Sequence, residues 1–88
     1  MATIVIRHKV GNFKTWLAGH QDRVKVFGPA INGFTTFQDP NDPQSIAMVI
    51  EVKDMEKLNQ IMVDPKIQPF KDKHTVIDPV EVFMQVKV

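Results

Sequence analysis

The sequence contains no cysteine and no tyrosine among its 88 residues. The absence of cysteine excludes disulfides, zinc–thiolate sites, iron–sulfur clusters and a cysteine nucleophile. The longest apolar run is IAMVI, at positions 46–50, which is far too short to span a bilayer. Eleven basic and ten acidic residues are interspersed, so no basic stripe suggests a nucleic-acid or membrane-surface partner. We therefore expect neither of those partners, and a soluble cytoplasmic protein.

What is present is an ordinary globular composition, with 43% hydrophobic and 24% charged residues. A chain of 88 residues can bury one modest core. We therefore expect a single domain over residues 1–88.

The first element predicted is a strand over residues 3–10, where β-branched and polar residues alternate. Ile4, Ile6, His8 and Val10 share one face of that strand. Gly11 breaks the strand, and Asn12 follows in a position suited to cap a helix.

A helix is predicted from Phe13 to Phe27, because the apolar period changes to three and four residues. Its apolar side is predicted to consist of Phe13, Trp16, Leu17, His20, Val24 and Phe27. Gly28 and Pro29 then end the helix, the glycine in a left-handed cap conformation.

The rest of the chain predicts strands over 33–38, 45–53 and 80–88, with a turn at 39–44. The third strand is apolar on both faces in its middle and is therefore expected to be central. A second helix follows Asp54 and ends at Asp64, and an irregular helical segment around Pro69 carries Phe70 and His74 on one side. The resulting order, βαββαβ, is the ferredoxin-like α+β pattern: one antiparallel sheet with helices on one face.

The second sheet face mixes apolar and charged side chains: Val5, Val49, Phe83, Arg7, Lys9, Glu51, Gln85 and Lys87. Such a face is neither a core nor a clean solvent surface, and the last strand would also leave an open edge. We therefore expect a homodimer through this sheet face. Arg7 and Lys9 are expected to pair there with Glu51 or Glu81.

Three segments resemble the dimeric α/β-barrel superfamily, and within it the small proteins related to antibiotic-biosynthesis monooxygenases. They are VIRHKV leading into NFKTWLAGH, the block DPNDPQSIAMVIEVKDMEKLNQIMVDPKIQPF, and the closing strand. The resemblance covers nearly the whole chain. It implies two sheets packed into a barrel, and a pocket between the helices and the sheet of each subunit. Characterised members include cofactor-independent oxygenases of polycyclic aromatic substrates, haem-degrading enzymes, quinol oxygenases, cyclases and isomerases.

Oxygenases of this family often place an asparagine, a tryptophan and a histidine in the pocket. Asn12, Trp16, His8, His20 and His74 supply those residue types here. Their positions differ from the family's, because Trp16 lies on the first helix and Asn12 is explained by capping. The resemblance therefore implies the location of the pocket and not a catalytic assignment.

The side-chain chemistry suggests a role for each candidate. His20 or His8 would be the catalytic base, since an imidazole titrates near neutral pH. Trp16 would be a stacking wall, Asn12 a polar anchor, and His74 a further substrate-binding residue. Each of these residues also has a purely structural interpretation, as core packing or capping.

Cofactors are not expected. The three histidines come from distant elements with no local pair, so a metal site, or a haem ligand at His74 or His20, is the disfavoured alternative.

The favoured hypothesis is an enzyme that removes a proton from a small, flat, hydrophobic molecule. The chemistry would be monooxygenase-like oxygenation without a cofactor, or a cyclisation or isomerisation. The alternative is a non-catalytic ligand-binding or structural homodimer. A cavity of roughly 300 Å³ or more reached by at least two histidine rings would favour the enzyme.

Overall fold

Alternating apolar and polar residues form the four strands of one sheet. In the computed structural model, which describes residues 2–86, these are β1 (Ala2–Val10), β2 (Ile31–Asp39), β3 (Asp42–Val52) and β4 (Val76–Met84). All neighbouring strands are antiparallel, in the order β2-β3-β1-β4. The predicted ferredoxin-like α+β architecture is confirmed, and so is the central position of β3.

Four short helices connect the strands: α1 (Phe13–Ala18), α2 (His20–Phe27), α3 (Met55–Val63) and α4 (Ile67–Lys73). The Asn12 side chain accepts a hydrogen bond from the Thr15 amide at 3.0 Å, and Asp54 accepts one from the Lys57 amide at 3.0 Å. Both predicted caps are therefore confirmed, and they satisfy amide groups that the first helical turns leave free. No helix within residues 2–86 is long and apolar enough to cross a membrane.

The core lies between the helices and one face of the sheet. On β1, the face predicted for Ile4, Ile6, His8 and Val10 is the buried one. The buried apolar side chains are Ile4, Ile6, Val10, Trp16, Ala30, Ile31, Ile46, Met48, Ile50, Val52 and Leu58. Each large one contributes about 1.5–3 kcal/mol to folding by leaving water.

The opposite sheet face is only half-buried. On this face, one row of side chains crosses all four strands. Phe83 on β4 lies beside Val5 on β1, Val5 lies beside Val49 on β3, and Val49 lies beside Thr35 on β2. Phe83 is 49% exposed. This mixed face is the one for which a partner copy was expected.

Ion pairs cross the half-buried face. Arg7 Nε lies 3.7 Å from Glu81 Oε1, as predicted, whereas Lys9 Nζ pairs with Asp42 Oδ2 at 3.4 Å. Glu51 accepts a hydrogen bond from the Thr3 hydroxyl instead. Lys87, also expected on this face, lies outside the described residues.

The predicted single helix over residues 13–27 is wrong, because the chain breaks it at Gly19. A Cβ built on Gly19 would lie 2.5 Å from Nε2 of His74. Glycine at this position therefore lets the buried His74 ring, from the far end of α4, pack directly on the backbone between α1 and α2.

The predicted apolar side of this region is also displaced. Leu17 and Val24 are 46% and 42% exposed, and His20 is exposed. The buried side instead follows Trp16 and Arg23, which is only 3% exposed. Trp16 on α1, and Arg23 and Phe27 on α2, follow one another at spacings of seven and four residues, and all three line the same cavity. The hydrophobic pattern missed this face because arginine is normally a surface residue.

Three further boundaries differ from the prediction. β4 begins at Val76 rather than residue 80, with Pro79 tolerated because β4 is an edge strand; positions 87–88 of the expected strand lie outside the described residues. Gly28 is right-handed, with φ −49°, so its predicted left-handed cap is wrong. Pro69 fits as the third residue of α4, where a first-turn amide needs no intrahelical acceptor.

Replacing Gly19 with alanine should destabilise the protein by about 1–3 kcal/mol, because the new methyl group would displace the packed His74 ring. Chemical denaturation measures the loss. Gly11→Ala is the matched control, since its Cβ would meet Thr75 at ordinary contact distances, 3.5 Å from Cβ and 3.8 Å from the carbonyl oxygen. In a His74→Ala background the cost of Gly19→Ala should disappear; an equal cost in both backgrounds would contradict this contact.

Candidate functional site

An apolar cavity of about 60 Å³ lies between the helices and the covered sheet face. Its polar lining consists of His8, Trp16, Arg23, Lys71 and His74. The apolar lining consists of Ile6, Phe27, Met48, Met62, Ile67, Phe70, Val76 and Val80. Two histidine rings reach the cavity, as the enzyme hypothesis requires. Its volume is well below the roughly 300 Å³ expected of a ligand pocket.

Strand β1 brings His8 into the cavity wall. The ring is 7% exposed and stands edge-on to Trp16, with centroids 6.0 Å apart. Its Nδ1 lies 2.9 Å from the Lys9 carbonyl oxygen, which can only accept, so Nδ1 carries the proton. The other nitrogen, Nε2, is then left with its lone pair in the neutral ring. Burial lowers the pKa of His8, and the nearby Arg23 and Lys71 lower it further.

The pairing between β1 and β4 is irregular at His8. The β1–β4 register shifts between Arg7 and Lys9, so residues 78–80 of β4 lie across from His8. A local bulge in an edge strand commonly redirects a side chain near a functional site.

His74 enters the cavity from the end of α4. The ring is 2% exposed and lies 4.3 Å from the Phe70 ring, between centroids. Its Nε2 is 3.4 Å from Oδ2 of Asp22, a long contact, while Nδ1 has no hydrogen-bond partner among residues 2–86. Burial is the main cause that lowers the pKa of His74, and Asp22 opposes that shift.

Thr75 fixes the backbone that follows His74. It adopts a left-handed conformation, with φ 58°, which is uncommon for a β-branched residue. Its hydroxyl accepts from the Asn12 amide at 3.0 Å, and its carbonyl accepts from the Gly11 amide at 2.8 Å. These bonds tie the end of α4 to the loop between β1 and α1, and so hold the His74 ring near His8.

Arg23 is the site residue that the sequence pattern missed. Its guanidinium carbon lies 4.1 Å from the centroid of the Trp16 ring, a cation–π distance. The atoms Nε, Nη1 and Nη2 are buried and make no hydrogen bond to any residue in the 2–86 range. Burial lowers the pKa of Arg23 to about 10, so the side chain remains charged at neutral pH. A seven-residue spacing from Trp16 is compatible with this position, but only the tertiary structure shows that Arg23 is buried.

Two of the predicted site residues lie elsewhere. His20 is exposed and borders a separate surface pocket, 5.1 Å from the Phe34 ring between centroids. Asn12 is exposed, and its side chain caps α1 rather than lining the cavity. The structure therefore brings together His8, Trp16 and His74, and separates His20 and Asn12 from them.

The described residues contain no group of three or more histidine, aspartate or glutamate side chains that could hold a metal ion. A cavity of about 60 Å³ is also far smaller than a porphyrin.

The lowered pKa values of His8 and His74 predict that the protein becomes less stable as the pH falls below about 6.5. Below this pH the unfolded chain takes up a proton on each ring, whereas in the folded chain burial disfavours the charged imidazolium. The unfolded state then binds more protons, so the free energy of unfolding decreases by up to about 1.4 kcal/mol per pH unit for each ring.

Urea denaturation between about pH 7.5 and about pH 5 measures this slope, above the range in which carboxylates titrate. His8→Gln should make the slope of the free energy of unfolding against pH shallower, because the contribution of one of the two rings is removed. Equal stability across this window would show that both rings take up protons freely in the folded protein.

No protein-family model matches this sequence, and no curated protein matches it significantly. Solved structures do match the fold. SnoaB, a cofactor-independent oxygenase from Streptomyces nogalater, has a TM-score of 0.73 at 13% identity, over 99% of this chain and 94% of SnoaB. An antibiotic biosynthesis monooxygenase has a TM-score of 0.69 at 16% identity, over 100% and 99% of the two chains.

A third match is a protein from Bordetella bronchiseptica, provisionally assigned as an antibiotic biosynthesis monooxygenase. It has a TM-score of 0.71 at 15% identity, over 100% of this chain and 99% of its own. Identities this low carry information on the fold and not on the chemistry. The chain thus has the ferredoxin-like α+β fold of the antibiotic biosynthesis monooxygenases, as the sequence resemblance implied.

Proposed function

We propose that this protein binds a small, flat, hydrophobic carbon acid in the cavity between helices and sheet and removes a proton from it with His8. The observation that carries the proposal is the fixed tautomer of His8. Because Nδ1–H donates to the Lys9 carbonyl, a neutral ring keeps a basic Nε2 in the wall of an apolar cavity. A base held neutral by burial is ready to accept a proton at pH 7.

The other cavity residues would complete the reaction site. Trp16 offers an aromatic surface beside His8 for a flat ligand. His74 would bind the substrate through the unpartnered Nδ1. Asn12 and His20 remain outside this arrangement, so neither is given a role in the proposal.

The monooxygenase-like version of the reaction needs no cofactor. Loss of a proton gives a carbanion, which forms a C–O bond to molecular oxygen, and the peroxide takes up a proton. Cleavage of the O–O bond with loss of the second C–H proton releases water, so a methylene group and one molecule of oxygen become a carbonyl group and one molecule of water. The substrate is oxidised and oxygen is reduced. Without oxygen, return of the proton to another carbon would give an isomerisation or a cyclisation.

A substrate of this kind needs more space than the cavity of about 60 Å³ provides. A second pocket of about 260 Å³ lies on the outer side of Ile67 and Phe70, two residues that also line the inner cavity. Helix α4, which carries both, has no fully buried residue and no side-chain cap at its N-terminus. A change of the Phe70 rotamer would join the two spaces, and together they reach the size of a small-ligand pocket.

Loss of deuterium from 2-indanone labelled beside its carbonyl tests the proton transfer without knowledge of the natural substrate. The wild-type protein should speed the exchange, and His8→Gln should slow it by about 10²–10⁴-fold, because general-base catalysis contributes that much. The thermal stability of the variant should remain close to that of wild type. NMR or mass spectrometry follows the label, and an oxygen electrode separates oxygenation from isomerisation.

Two further variants decide the assignment. Phe70→Ala should lower the KM for a bulkier flat ketone, since it joins the two spaces. His20→Gln separates the candidate bases: exchange that is lost in His20→Gln and kept in His8→Gln would refute the role of His8. Absence of exchange with any ketone would favour the second candidate function, a non-catalytic ligand-binding or structural dimer, which the cavity of about 60 Å³ supports.

We also propose that two copies pack through the half-buried sheet face. The row from Val49 through Val5 to Phe83, together with the 51%-exposed Phe37, offers apolar area on that face. The ion pairs of Arg7 and Lys9 neutralise the charges among these side chains within one copy. A second copy of the same face would cover this area, as isologous interfaces do.

Sedimentation of the purified protein should therefore give the mass of a dimer. Phe83→Lys should shift it toward monomer, because it would place a lysine in the interface without a partner. Val63→Lys is the matched control: Val63 is 80% exposed on α3, on the helix side, and this change should leave the mass unaltered. A monomeric wild-type protein would contradict the proposal.

A further inference from the structure

Arg23 carries a charge inside the cavity that nothing in residues 2–86 balances by hydrogen bonding. Its side chain is 3% exposed, and all three guanidinium nitrogens lack hydrogen-bond partners in that part of the chain. Leaving a charged group buried and unpaired is costly, and its contact with the Trp16 ring offsets only a part of that cost. Guanidinium groups bind carboxylates and other oxyanions through paired N–H donors.

The other charged group at the cavity is already neutralised. Lys71 Nζ lies 2.6 Å from Oδ1 of Asp78 in an ion pair. Asp22, the neighbour of Arg23 in sequence, has its Oδ2 next to Lys73 at 3.5 Å and His74 at 3.4 Å. The Arg23 guanidinium is therefore the charged group at this cavity whose donors have no partner within residues 2–86.

We infer that the cavity binds an organic oxyanion, a carboxylate or enolate oxygen held by the Arg23 guanidinium with its apolar body along Trp16. This inference names the ligand class of the pocket in the proposed function and rests on that pocket, but it does not require catalysis. If the proposed reaction occurs, the same contact stabilises the enolate oxygen that forms when His8 removes the proton. Arg23 would then be a group that touches the substrate.

The size of the cavity allows a direct test with a small probe. A volume of about 60 Å³ holds about four water-sized groups, which is the number of heavy atoms in acetate. Acetamide has the same shape without the charge. Trp16 is the one tryptophan of the sequence, so its fluorescence reports on ligands beside Arg23.

Titration of the wild-type protein should show that acetate changes the Trp16 fluorescence and acetamide does so at least about tenfold more weakly. Arg23→Met keeps much of the side-chain length and removes the charge, so it should lose the acetate response and melt at a higher temperature than wild type. Arg23→Lys keeps the charge and should retain part of the response. Bound acetate should also raise the pKa of His8, which NMR of the ring protons measures.

An equal response to acetate and acetamide, or an unchanged acetate affinity in Arg23→Met, would overturn the inference. If Arg23→Met does not fold, the comparison of acetate with acetamide on the wild-type protein still decides it. The same fluorescence titration of Phe70→Ala with benzoate and benzamide tests whether the oxyanion site also binds larger ligands. Acetate binding without any exchange of labelled ketone would refute the proposed catalysis and leave the oxyanion site standing.

Discussion

The packing of the His74 ring on Gly19 is the contact on which the rest of the site depends. A Cβ on Gly19 would lie 2.5 Å from His74 Nε2, so side chains of any size are excluded there while the ring stays in place. This contact joins the end of α4 to the break between α1 and α2. Trp16 lies on α1 and Arg23 on α2, on opposite sides of that break. The cavity that they line therefore exists only while α1, α2 and α4 stay packed together.

The electrostatics of the cavity follow from the burial of its titratable groups. Burial lowers the pKa of both histidines that line it, and it also lowers the pKa of Arg23, which at about 10 still leaves the guanidinium charged at neutral pH. A neutral base beside an unpaired cation is an arrangement that favours the anionic form of a bound carbon acid. The fold itself does not require this arrangement, since well-packed apolar side chains in the place of a buried charge usually stabilise a protein.

The similarity to SnoaB and to the other solved structures concerns the fold, at 13–16% identity. This scaffold offers a cavity between helices and sheet, and the reaction depends on which side chains occupy it. In this chain the occupants are His8, His74 and Arg23 around Trp16. Any chemistry of this chain therefore depends on these residues, and the small inner cavity with its outer pocket would limit the size of a ligand.

The sequence by itself determined the order of strands and helical regions, the buried face of β1 and the caps at Asn12 and Asp54. These features depend on local periods and on side chains that bond to nearby backbone amides, which the chain encodes within a few residues. It also placed His8 correctly, because alternation along a strand has only two faces. The tertiary structure alone decided that His20 is exposed, that Arg23 is buried and that His74 meets Gly19. Those outcomes depend on contacts between residues far apart in the chain, and no local pattern records how α4 packs against the first helices.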